Sequence, residues 1–280
     1  MSLLLAALLQ VGPFGTTPAP AAPARPAERR ATAPAAAVPP PVTPHSRLQI
    51  CLDQAATSPI EAIDDAEMWR DAVTGAAQAE PQLCLGSAHA RLENWAEAEE
   101  AFTAGRDAAP VSDNALRAKL GAMAGNAALA QGAADRALPV LDAAAGAASA
   151  AGDIALTGEI AIDRARALVA LKRENEAAAA LVEARTSAAN NSLAWLLSAT
   201  LSRRQGKLAA AQAQIATAAE LAPRDPEVGL EAGVIAMLAG NEAAARKSWQ
   251  SAIDTAPDSE AAASAKAYLA QLGTPAPAKP

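Results

Sequence analysis

Aromatic side chains are scarce in this 280-residue sequence: one Tyr, two Phe and four Trp, or 2% of the chain. Sandwich and barrel cores need bulky residues from facing sheets, so this scarcity argues against them. Two cysteines and two histidines are too few for a typical zinc site or a histidine-rich metal centre. No basic excess exists either. The 23 Lys and Arg against 30 Asp and Glu leave a net charge of −7, which speaks against wrapping nucleic acid by phosphate neutralisation. No stretch approaches the ~18 apolar residues of a membrane-spanning helix. The phosphate-loop, G-x-G-x-x-G, H-E-x-x-H and G-x-S-x-G signatures are all missing, so no cofactor or catalytic site is expected. What is abundant is alanine, roughly 30% of the chain. Alanine is the best helix former and lets helices pack closely, so the composition points to an all-α protein of thin layers.

The two ends read differently from the middle. Residues 1–12 contain an apolar run, Leu3 to Leu9, with the character of a signal-peptide hydrophobic region but no preceding Lys or Arg. This favours export to a periplasm or cell envelope. The alternative is a cytoplasmic protein with an apolar tail. Residues 13–45 hold half of the twenty prolines. Proline fixes φ and removes donors, so this tract reads as an extended, disordered linker that spaces the folded part from whatever holds the N-terminus. Residues 273–280 read as a similar tail.

From 46 to 272 the chain repeats. Adding thirty-four to Trp195, Ala199, Gly206, Ala211, Ile215 and Pro223 lands on Gly229, Gly233, Gly240, Ala245, Trp249 and Pro257. Five of the six pairs keep their physical type. The stretch Gln82-x2-Leu85-Gly86-x2-His89, followed by Ala98-x3-Phe102 and Pro110, shows the same arrangement. These residues resemble the tetratricopeptide repeat, W-x2-L-G-x2-Y, then A-x3-F, then P. Gln82 and His89 depart from its aromatic positions. Looser units run from Asn114 to Ala148 and within Ile154 to Ala189, where the uniform Glu174 to Ala180 leaves the register open. A shortened unit, Leu48 to Ala56 with Pro59 to Ala72, opens the array, and Ser259 to Leu272 caps it. The resemblance implies a right-handed α-solenoid of about five to six helical hairpins plus a C-terminal capping helix.

It also implies a non-enzymatic scaffold that binds a peptide or partner protein in a groove lined by the first helices. The weighed alternatives are an enzyme or small-molecule binder with a site in that groove, and a self-assembling structural array. Inward-facing candidates are Glu80, Leu83, Ser87 and Arg91, then Lys119 and Asn126, then Arg166. Leu196, Thr200, Arg203 and Arg204 follow, then Val234, Met237 and Leu238. The cations Arg91, Lys119, Arg166, Arg203 and Arg204 suggest a carboxylate-bearing segment, and Met237 an apolar anchor. The competing reading makes Arg203 and Arg204 merely solvated. Cys51 and Cys84 lie one repeat apart within a residue, at equivalent places on adjacent first helices. They are either a disulfide in an oxidising compartment or two small buried thiols.

Overall fold

The computed structural model describes residues 46–273. The signal-like segment, the linker and all but the first residue of the tail lie outside them. Thirteen α-helices fill the described chain. They are α1 Arg47–Thr57, α2 Pro59–Asp71, α3 Ala79–Arg91, α4 Trp95–Ala108, α5 Asn114–Ala130, α6 Ala134–Ala151 and α7 Ile154–Ala170. After these come α8 Glu174–Ser187, α9 Ser192–Arg204, α10 Leu208–Leu221, α11 Pro226–Leu238, α12 Glu242–Thr255 and α13 Glu260–Leu272. A short 3₁₀ turn, Gly75–Gln78, precedes α3. Each helix packs on the next, giving an α-solenoid of six hairpins and the capping helix α13.

One contact recurs within the hairpins. A small residue on the first helix meets a bulky one sixteen positions later on the second. A methyl group added at Gly86 would lie 2.5 Å from the Phe102 ring, and one at Gly125 2.5 Å from Leu141. Gly233 is pressed against Trp249 in the same way. Ala199 with Ile215, and Ala165 with Leu181, repeat the spacing, and all four are buried. The last pair fixes the register of α7 and α8.

The helix ends follow from local chemistry. Asp113, Asp153, Asn191 and Asp225 cap α5, α7, α9 and α11 by accepting backbone N–H bonds. The turn inside a hairpin needs a left-handed residue, supplied by Gly132, Gly206 and Gly240. Glu93 and Lys172 occupy the equivalent places with φ of 60° and 61°, where a side chain strains the backbone. α6 starts at Ala134, so Pro139 sits in its second turn. It is exposed, and it removes the hydrogen bond to the Asp135 carbonyl.

The middle hairpins are larger than the repeat predicts. α5, α6 and α7 have 17, 18 and 17 residues, one turn more than their counterparts of 13 or 14. This extra turn is what blurred the thirty-four-residue interval there.

At the N-terminal end α1 lies against α3, and Cys51 is joined to Cys84 by a disulfide with Cα atoms 6.0 Å apart. Both cysteines are buried beside Trp69, whose ring carries Arg47 at 4.5 Å. At the other end Tyr268 packs back onto Trp249, with ring centroids 5.1 Å apart. Arg246 donates to the carbonyls of Leu272 and Gly273, closing α13. Trp249 and Trp69 are packing residues, while Trp95 is only half-buried.

Two substitutions test this account with opposite signs. Gly86→Ala forces its methyl into Phe102 and should cost about 1–3 kcal/mol. Lys172→Gly relieves the left-handed turn and should stabilise by about 1 kcal/mol. Denaturant unfolding of both variants checks the pair; an unchanged Gly86→Ala midpoint would contradict the packing argument.

Candidate interaction groove

First helices of neighbouring hairpins touch: α1 with α3, α5 with α7, and α9 with α11. Second helices make no comparably close approach among the described residues. The first helices thus share one side of the solenoid. Two openings lie on it. The larger, about 760 Å³, runs between α5 and α7. The smaller, about 310 Å³, lies between α7 and α9. α7 is the shared wall, with Asp163 lining the first and Arg166 the second.

The larger opening exists because α5 and α7 each begin one turn early. Their extra turns contribute Asp113, Leu116, Asp153 and Leu156 to its lining. Asp113 and Asp153 are fixed there by their capping bonds to Leu116 and Leu156. Further along, Lys119, Met123 and Asn126 of α5 face Glu159 and Asp163 of α7. Asp163 is nearly covered, with 14% of its side chain exposed. Asn126 donates to its Oδ2 at 2.8 Å, and Arg166 approaches its Oδ1 at 3.4 Å. Burial nonetheless pushes the Asp163 carboxyl above the usual carboxylate range, against the Asn126 and Arg166 contacts. The smaller opening is mostly apolar, with Val169, Leu181, Leu197 and Leu201 under Thr200 and Arg204.

The residues singled out in the sequence divide accordingly. Lys119, Asn126, Arg166 and Arg204 line the openings. Leu83 and Leu196 do not face the groove; both are buried between helices. The cations do not form a free positive face. Arg203 is held by Glu231 of α11 through two bonds, the shorter 2.6 Å. Arg204 pairs with Glu174 of α8 at 2.8 Å, Arg166 with Asp163, and Arg91 reaches back to the Ala56 carbonyl. These arginines thus have partners within the protein, and Arg203 and Arg204 are ion-paired. Val234 and Met237 are half-buried and Leu238 is 59% exposed, at the α11 end of the face.

Sequence reasoning missed Asp113, Asp153, Glu159, Asp163 and Glu231. The signal for the first four was the pair of capping aspartates, forty residues apart. Setting α7 to start after Asp153 puts Glu159 at the place Lys119 holds on α5.

The outer side offers a contrast. There a depression of about 260 Å³ between α6 and α8 is bridged by Arg164, which pairs with Asp142 at 2.7 Å and Glu183 at 3.0 Å. Its charges are already matched.

Asp163 carries a pH signature. A carboxyl whose folded pKa is raised contributes stability that is complete below its unfolded pKa and lost as pH rises through the folded one. The thermal midpoint of the wild type, measured relative to Asp163→Asn, should therefore increase as pH falls from neutral toward the usual carboxylate range. A difference that instead grows with rising pH would show that the hydrogen bonds outweigh burial.

No family model matches the sequence, and no curated protein matches it. Solved structures do match in fold. PilF of Pseudomonas aeruginosa is 13% identical with a TM-score of 0.64, covering 79% of this chain and 96% of that one. BtubC (BKLC) from P. vanneervenii is 15% identical with a TM-score of 0.58, covering 84% and 97%. A double mutant of MamA from RS-1 is 21% identical with a TM-score of 0.52, covering 62% and 89%. PilF and MamA are tetratricopeptide proteins. Together with the thirteen sequentially packed helices, these likenesses identify the fold of this chain as a tetratricopeptide-type α-solenoid.

Proposed function

We propose that the chain is a non-enzymatic interaction scaffold that holds a segment of a partner protein along its first-helix face. The observation that carries this reading is the pair of openings walled by α5, α7 and α9. They lie side by side across one helix and combine polar side chains with apolar floors, the make-up of peptide-binding grooves. No helix among the described residues is long and apolar enough to cross a membrane.

A photo-crosslinking residue placed at Lys119 or Thr200 should capture a partner polypeptide in native extract, while the same residue at Glu100 on α4 should not. Crosslinks arising only from Glu100 would move the binding surface to the outer side and sink the reading.

The working compartment is proposed to be oxidising, such as a periplasm. The support is the Cys51–Cys84 disulfide, whose thiols would stay reduced in most cytosols. Thiol labelling of the unreduced, denatured protein from its native compartment should modify neither cysteine. Two labelled thiols would remove the support for export and favour the cytoplasmic alternative.

A further inference from the structure

The groove has a definite chemistry, and it is the reverse of what its visible cations suggest. Between α5 and α7 the lining carries Asp113, Asp153, Glu159 and Asp163 against the single cation Lys119. The two capping aspartates are partly offset by the positive ends of the helices they cap. Glu159 and Asp163 have no such compensation from a helix end. Glu159 is exposed to an incoming group. Asp163 has one short neutral partner, Asn126, and one long contact to Arg166, whose own side chain is 55% exposed. A contact of that length on a half-exposed arginine gives little stabilisation. Just across α7, the second opening presents Val169, Leu197 and Leu201. Its polar members are Thr200, Arg166 and Arg204, and Arg204 is paired with Glu174.

Resting on the scaffold reading above, we propose that this face takes a peptide segment carrying an arginine or lysine beside an aliphatic side chain. The cation sits between Glu159 and Asp163, and the aliphatic group enters the opening between α7 and α9. A carboxylate-bearing segment fits poorly. It would place its charge among four carboxylates and would have to pull Arg204 from Glu174 or Arg203 from Glu231. The net charge of −7 adds a long-range attraction for cationic segments. Guanidinium is the better cation here, because it can bond both carboxylates in a fixed planar geometry.

The test uses the full chain and fluorescein-labelled peptides of about ten residues, read by fluorescence anisotropy at low salt. One peptide alternates arginine and leucine with serine spacers; a second replaces each arginine by glutamate, and a third replaces each by serine. The arginine peptide should bind and the other two should bind at least about tenfold more weakly. Glu159→Gln with Asp163→Asn should weaken the arginine peptide by about tenfold or more. Glu100→Gln, on α4, should leave it unchanged. Glu159→Gln alone, at an exposed position, should weaken it about threefold and guards against a folding artefact in the double variant. Equal or tighter binding of the glutamate or serine peptide, no binding of the arginine peptide, or no effect of the groove variants would each overturn the proposal. Those results would leave the scaffold reading intact, since that reading fails only if crosslinks avoid the first-helix face.

Discussion

Everything in this solenoid depends on one contact, a bulky second-helix side chain seated on a first-helix glycine or alanine. Phe102 on Gly86, Leu141 on Gly125 and Trp249 on Gly233 hold their hairpins so closely that no methyl fits between. Of the few aromatic residues, Phe102 and Trp249 sit at this contact and are buried. Alanine does the rest, because its small side chain lets neighbouring helices approach and its helix propensity needs no help from a wide core. A hairpin of this kind cannot bury its face alone, so stability accumulates by stacking. The disulfide at one end and the Trp249–Tyr268 packing at the other hold the two terminal units, where a neighbour is missing on one side.

The same contact explains what was legible in the sequence and what was not. Glycine at Gly86, Gly233 and Gly240, aromatics at Phe102 and Trp249, and proline at Pro223 and Pro257 are chemically distinctive, so their spacing could be read directly. The first hairpin and the C-terminal cap were also placed to within two residues. In the middle, the contact is made by Ala165, one of several alanines on α7, and by Leu181, which follows the run Ala177 to Ala180. One alanine cannot be told from the next, and the register dissolved. The extra turn on α5, α6 and α7 compounded this by breaking the thirty-four-residue interval.

The groove suffered most from that loss. Lys119 and Asn126 were found because Gly125 anchors the α5 register. Glu159 and Asp163 were not, because nothing so distinctive anchors α7. The inward face as read took Arg166 from α7 but not Glu159 and Asp163, which line the same side of that helix. Charge on such a face is a property of pairs on adjacent helices. Arg203 reads as a free cation until Glu231, one repeat on, is placed against it.

Once the pairs are counted, the unbalanced charge lies on the helix with the uncertain register. On that helix burial raises the pKa of Asp163. Asn126 and Arg166 do not fully replace the water that burial removes from its carboxylate, so the charged form is under-solvated even in the free protein. A neutral partner covering the groove would deepen that deficit. A cationic one would relieve it, replacing the long Arg166 contact with a better one while its apolar neighbour gains the floor beyond α7. The extra turn that obscured the repeat in the sequence thus also builds the only part of the two openings described here where a partner's charge is needed to complete the local balance.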